Sequence, residues 1–325
     1  MARTVEAVRA IVQDVLDTPY SIKFYLVEKN DESLDALLLN IGQEGSTYER
    51  IETEYASELR DSILEKELFE VKGINDVDSA GNALLEIGEI STIPRLKALD
   101  DATTTILNES STNPASRLPS NIWGFLITIG NDVNTLVLFR KYYPIHLMKQ
   151  GNIFIKFVND AFSLVDNEAL VRFDTRYQCI KLDGLWYTND LEMFETVFQF
   201  DEVQKAQAQV AFSTLQTLDL FEGEEDLFTT CLLQKAMYRK ILRIVESSQV
   251  LKKEISRETI LDFSRNKSPF KEKFNYDDES GKIKINSQSA MKLFLKLMND
   301  DYLYSELTKV TYDSSEKTVD TVSQE

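Results

Sequence analysis

Four cations, Arg140, Lys141, Lys149 and Lys156, are interleaved with Phe139, Tyr142, Tyr143, Phe154 and Phe157 in a stretch that has no carboxylate from residue 133 to 159. At the chain's average acid content a window of that length carries about four or five carboxylates. Cations beside aromatic rings suit one chemistry above others: charge-assisted contact with phosphate oxygens, with rings nearby for base stacking. A second basic run follows at Lys235, Arg239 and Arg243, spaced four apart and so expected on one helical face, and continues into Lys252, Lys253 and Arg257. From Lys235 to Lys273 eleven basic residues face five acidic ones, a local charge of +6. The structural alternative is that both clusters pair with acidic surfaces such as Glu222–Asp226, within the chain or across a subunit interface.

Other chemistries find less support. His146 is the single histidine, so a triad would rest on it alone, and no Ser or Cys can be assigned to it. One His and two distant cysteines, Cys179 and Cys231, have no zinc-site spacing, and no cofactor is implied. Neither GxxxxGK[ST] nor GxGxxG occurs. Glu70-Val71-Lys72 resembles the ExK of some metal-dependent nucleases, and Asp174, Asp183 and Glu195 form another carboxylate set, but Asp183 already serves a turn. A metal-dependent nuclease is the alternative reading, and a non-catalytic oligomeric scaffold a further one.

These residues sit on a strongly acidic body. Acids outnumber bases 54 to 36 over 325 residues, giving −18, with globular hydrophobic and aromatic contents of 43% and 10%. Such a charge opposes indiscriminate binding to nucleic acid or anionic membranes, so any anionic partner must meet a local patch. Two cysteines, no signal peptide and no long apolar run point to the cytoplasm.

The pattern predicts α+β: an antiparallel or mixed sheet with flanking helices and a helix-rich C-terminal half. A helix is expected over 2–17, strands at Ser21–Val27 and Leu34–Ile41, a helix over Ser46–Glu67 and a strand at Leu68–Lys72. Thr103–Ser120, rich in Ser, Thr, Asn and Pro, reads as a loop. The expected organisation is therefore an N-terminal α+β region 1–108, a linker 109–120, an α+β domain 121–312 and a polar tail 313–325. Strands follow at Ile122–Ile129, Thr135–Phe139, Ile153–Val158 and Leu170–Phe173, then a hairpin around Asp183-Gly184. The rest is mostly helical: Asp190–Phe200, Val203–Leu220, Leu227–Ser247, Arg257–Phe263 and Ser287–Met298, with a strand at Lys282–Ile285.

Phe173-Asp174, Cys179 to Gly184, Tyr187-Thr188-Asn189, Phe194-Glu195 and Phe198-Gln199-Phe200 come in an order that resembles the KwaB component of Kiwa anti-phage defence systems. Leu297 to Tyr302, Ser305 to Thr308 and Tyr312 are similar to that family's closing motif, and Phe139-Arg140-Lys141 before Pro144 and Leu147 also fits. The resemblance spans about Trp123 to Tyr312. It implies a cytoplasmic, DNA-binding defence effector that works beside a small membrane protein, KwaA. It further implies an oligomer, location at the inner membrane through that partner, and no established catalytic centre. No DNA-contact motif carries over, so Arg140, Lys141, Lys149, Lys235, Arg239, Arg243, Lys252 and Lys253 are proposed from charge and spacing.

Overall fold

Strand alternation and helical stripes assemble the first half of the chain around one sheet. The computed structural model describes residues 4–31, 33–39, 46–66, 70–76, 81–108, 121–143, 147–148, 155–158, 161–164, 170–171, 175–304 and 311–313. Helix α1 (Val5–Asp17) is capped by Thr4, whose hydroxyl accepts from the Ala7 N–H, and buries Val8, Val12, Val15 and Leu16 at helical spacing. Strands β1 (Ser21–Asn30) and β2 (Ser33–Leu39) form the expected hairpin. Helix α2 (Ser46–Leu59) ends in a π-turn at Arg60–Leu64, and the Arg9 guanidinium donates to the carbonyls of Ile63 and Lys66. Then come β3 (Glu70–Gly73), β4 (Ala83–Ile87) and α3 (Pro94–Asn108).

The helix α3 runs into a stretch that reads as loop. Its threonines are accommodated with their hydroxyls donating to carbonyls one turn back: Thr103 to Leu99, Thr104 to Asp100 and Thr105 to Asp101. On the apolar side Leu96, Leu99, Ala102 and Ile106 are buried.

Strands β5 (Ile122–Gly130) and β6 (Thr135–Lys141) follow, with short strands β7 (Leu147–Met148), β8 (Ile155–Val158), β9 (Ala161–Leu164) and β10 (Leu170–Val171) pairing outside the main sheet as β7–β10 and β8–β9. The hairpin of β11 (Cys179–Leu182) and β12 (Leu185–Thr188) turns at Asp183 and Gly184, both at positive φ (45° and 80°), as an Asp-Gly turn requires. Helix α4 (Leu191–Phe198) is capped by Asp190 and stopped by left-handed Gln199.

The sheet order is β2-β1-β5-β6-β11-β12-β4-β3, antiparallel except for the parallel β3–β4 pair at one edge. One face packs Phe24, Leu26, Phe125, Ile127, Leu138 and Ile180 under α1 and α2. The opposite face meets α3 and α4: the Asp100 carboxylate accepts from Lys181 Nζ (2.6 Å) and Trp186 Nε1 (2.7 Å), and Phe198 packs on Trp123 and Phe139. The fold is thus α+β with a mixed eight-stranded sheet and flanking helices.

The chain divides into two compact units, Met1–Phe200 and Asp201–Glu325. Residues 109–120 lie outside the described residues, and that expected linker falls within the first unit. Strands from before it, β1 and β2, share a sheet with β5 and β6 from after it.

The second unit is helix-rich. It comprises α5 (Phe200–Gln216, opening in the first unit's last residue), β13 (Phe221–Gly223), α6 (Glu225–Leu232), α7 (Lys235–Ser247), α8 (Gln249–Lys252), α9 (Arg257–Asn266) and α10 (Phe270–Lys273). It ends with β14 (Asn275–Tyr276), β15 (Ile283–Ile285), α11 (Gln288–Met298) and the pair β16 (Tyr302–Tyr304) and β17 (Thr311–Asp313). The single helix expected over Leu227–Ser247 is two, α6 and α7. Its core gathers Phe212, Phe221, Phe228, Tyr238, Ile241 and Phe294 around a three-stranded sheet, β13-β15-β14.

One position in the first unit is fixed by space. A Cβ on Gly124 would lie 2.5 Å from Phe139 Cε2 and 2.7 Å from the Arg140 carbonyl oxygen, while one on Gly88 meets nothing within 4 Å. Gly124→Ala should therefore cost about 1–3 kcal/mol, because backbone as well as ring must shift. Gly88→Ala is the reference, and denaturant midpoints of the two variants should separate. Equal midpoints would contradict the packing described.

Candidate functional site

Arg140 and Lys141 are the last two residues of β6, so the strand reaches two positions beyond the expected Phe139. Adjacent strand residues face opposite sides. Arg140 stands opposite Phe125 on the face covered by α1 and α2, and Lys141 opposite Gly124 on the other. A β-bulge decides what Lys141 meets: Val27 pairs with Gly124 and Glu28 with Ile122, leaving Trp123 as the extra residue of β5. The bulge turns the Trp123 indole onto Phe139, stacked at 4.7 Å between centroids, an interaction worth about 1 kcal/mol. Lys141 Nζ sits 4.9 Å from the Trp123 ring centroid, and its backbone N–H donates to Gln178 Oε1 at 2.7 Å.

Two further cations come from distant sequence. Lys29, exposed, lies on β1 two residues past Val27, and Arg95 lies in the first turn of α3. The guanidinium of Arg95 is tethered by one bond, Nη1 donating to the Val197 carbonyl at 3.1 Å. Half-burial of the Lys141 ammonium, then Arg95 and then Lys29, push its pKa down to about 8 from the ordinary 10.5. Among the described residues none of these three side chains has an ion pair. Lys149 and His146 lie outside the described residues, as does Asp174.

The second basic run is split by burial. Lys235, Lys252 and Lys253 are exposed, Arg243 is half-buried, and Arg239 is 3% exposed among Met237, Tyr238 and Ile241 on the buried face of α7. Neighbouring cations are neutralised by acids outside the Lys235–Lys273 count. Lys240 pairs with buried Asp301, and Arg257 Nε (3.5 Å) and Lys282 Nζ (2.5 Å) share Asp219. Lys284 pairs with Asp277 at 2.9 Å, where the Ser280 N–H and the Lys284 ammonium hold the carboxyl far below its usual range. The acids used are Asp219, Asp277 and Asp301, while the Glu222 carboxylate accepts from the Ser280 hydroxyl.

Of the carboxylates of the nuclease reading, Asp174 lies outside the described residues and the others each have another place in the fold. Glu70 pairs with Lys72 at 2.7 Å on edge strand β3, Asp183 occupies its turn, and Glu195 is buried on α4. Among the described residues no three His, Cys, Asp or Glu side chains form a group able to hold a metal. Both cysteines are free and buried, and burial pushes the two thiols up.

Residues 119–308 match the family described as Kiwa protein KwaB-like. The chain belongs to that family. It is similar to the Kiwa protein KwaB of Escherichia coli O55:H7 (strain RM12579 / EPEC), with 25% identity over 278 residues, covering 84% of this chain and 87% of that relative. No solved structure matches. The family match takes in β5, β6 and Lys141, while Lys29 and Arg95 precede it. Among the described residues no helix is long and apolar enough to cross a membrane. Sequence reading missed Lys29 and Arg95 because only the strand order β1-β5-β6 and the packing of α3 bring them to Lys141.

The electrostatics have a measurable consequence for stability. Folded Lys141 loses its proton near pH 8, whereas in the unfolded chain it does so near 10.5. Below pH 8 both states are charged and folding bears the full penalty. Between about 8 and 10.5 the folded state sheds its proton first, the unfolded state binds more, and the penalty is relieved as pH rises. After allowance for screening at a half-buried site and for the cation–π attraction to Trp123, Lys141→Met should gain about 1 kcal/mol at pH 7. Thermal midpoints of parent and variant should converge as pH climbs through that window. A variant less stable than the parent at pH 7 would contradict this.

Proposed function

We propose that this protein is an anti-phage defence protein that binds DNA through its phosphate backbone, without strong sequence preference. It acts as a homo-oligomer beside a small KwaA-like membrane protein, in the cytoplasm and at the inner membrane through that partner. Membership in the Kiwa KwaB-like family supports the defence role. The observation that carries the DNA reading is Lys141, a half-buried cation with no ion pair among the described residues of a chain whose charge is −18. An acidic body repels polyanions over most of its surface, so uncompensated cations mark where one could dock. Exposed Lys235, Lys252 and Lys253 supply further phosphate contacts.

Binding of this kind is dominated by counterion release. Affinity for unrelated duplexes should be similar, and log K should fall with log salt at about −0.9 per phosphate neutralised. In fluorescence anisotropy, charge reversal at Lys235, Lys252 and Lys253 should weaken all sequences alike and flatten the slope by about 1 for each phosphate left without its cation. A folded parent that binds no DNA at low salt, or binds with no salt dependence, would overturn the reading.

A further inference from the structure

We infer that Lys29, Arg95 and Lys141 form a seat for one phosphate group at the β-bulge end of the sheet, the three cations reaching it from β1, α3 and β6. The seat deepens the DNA reading, on which it rests for the source of the phosphate.

All three cations have open donors. A guanidinium has five N–H groups and an ammonium three. Val197 occupies one donor of Arg95, and neither the rest of that guanidinium nor the Lys29 and Lys141 ammonium groups have a hydrogen-bond acceptor among the described residues. Donors from three elements suit a tetrahedral anion with several oxygens better than a planar carboxylate, which one guanidinium fork already satisfies.

The arrangement is also held against its own electrostatics. Arg95 stands in the first turn of α3, where the helix dipole is positive and a cation is disfavoured, and it and Lys29 act on Lys141 as like charges. The tether to Val197 keeps Arg95 in place, and the strand register keeps Lys141 over Trp123. Trp123 is only 7% exposed, with Phe139 on one side, so it serves as a wall that keeps water from the Lys141 ammonium. An anion entering there meets a partly desolvated cation, at which a charge-assisted bond is stronger than at an exposed one. Like-charge clusters with a perturbed lysine are characteristic of sites that bind a counter-charge.

Lys141 can report on its own occupancy. With a neutral fraction near pH 8 it should acylate faster than ordinary lysines, and a bound phosphate should protect it. The full-length protein would be treated at pH 8 with an amine-acylating reagent, alone and with inorganic phosphate, a thymidine dinucleotide or a short duplex, and the modified lysines quantified by mass spectrometry. Exposed Lys267 is the internal reference. Protection of Lys141 but not Lys267 is expected with all three probes. Lys29→Gln and Lys141→Gln should each weaken duplex binding about tenfold, as should Arg95→Gln, with Arg95→Lys partly rescuing.

The outcomes separate the seat from the DNA reading. Duplex binding that leaves Lys141 reactive, with affinity unchanged in Lys29→Gln and Lys141→Gln, removes the seat and leaves the DNA reading standing. Protection by inorganic phosphate or dinucleotide without duplex binding keeps the seat and removes DNA as its source. No protection by any probe, with no duplex binding, removes both.

Discussion

Phe139 lies over Gly124, and most of what distinguishes this protein depends on that close approach. A side chain at residue 124 would collide with the ring and with the backbone behind it, so β5 carries a glycine opposite Lys141. The ring in turn receives the Trp123 indole delivered by the bulge, and Phe198 of α4 closes on both. The stack therefore joins β5, β6 and α4, and through the Val197 carbonyl it fixes Arg95 of α3. Lys141 is brought over Trp123 by the same geometry. One hydrophobic interaction thus sets the position of the charged groups.

Charge is treated differently in the two units. In the second, Asp219, Asp277 and Asp301 pair with Arg257, Lys282, Lys284 and Lys240, of which Lys240 and Arg257 belong to the run that sums to +6 in sequence. Asp219 and Asp277 are exposed or half-exposed, so such pairs contribute little to stability and mainly cancel field. In the first unit the Lys181 ammonium is answered by Asp100, whereas Lys29, Arg95 and Lys141 are not answered by any described carboxylate. Burial and mutual repulsion lower the proton affinity of Lys141. The chain thus keeps Lys29 and Arg95 as like charges around Lys141 while remaining acidic as a whole, which is the physical basis for proposing an anionic partner.

Much of the fold was legible because the residues that form it are periodic. The stripe Val8, Val12, Val15 and the alternation through β1, β5 and β6 place those elements within a few residues, and Asp183-Gly184 identifies its hairpin. The helix α3 was partly hidden because consecutive threonines have weak helix propensity, and their back-bonding to i−4 carbonyls shows only in the folded chain. The α6–α7 break was hidden by continuous apolar spacing across Leu232 and Leu233. Of the site, Lys141 was visible through its acid-free surroundings. Arg239 was misleading, since i, i+4 spacing identifies a face without telling which way that face turns, and here it is buried. Lys29 and Arg95 carried no local signal, because their meeting with Lys141 is a product of sheet order.

At the centre of the site Lys141 is a lysine held among cations and partly out of water. Titrating its side chain by NMR on isotope-labelled lysines, with Lys141→Gln for assignment, tests this directly. The expected midpoint is near 8 in the parent and moves upward when Lys29 is replaced by Gln. A midpoint at the ordinary lysine value, unmoved by that replacement, would contradict it.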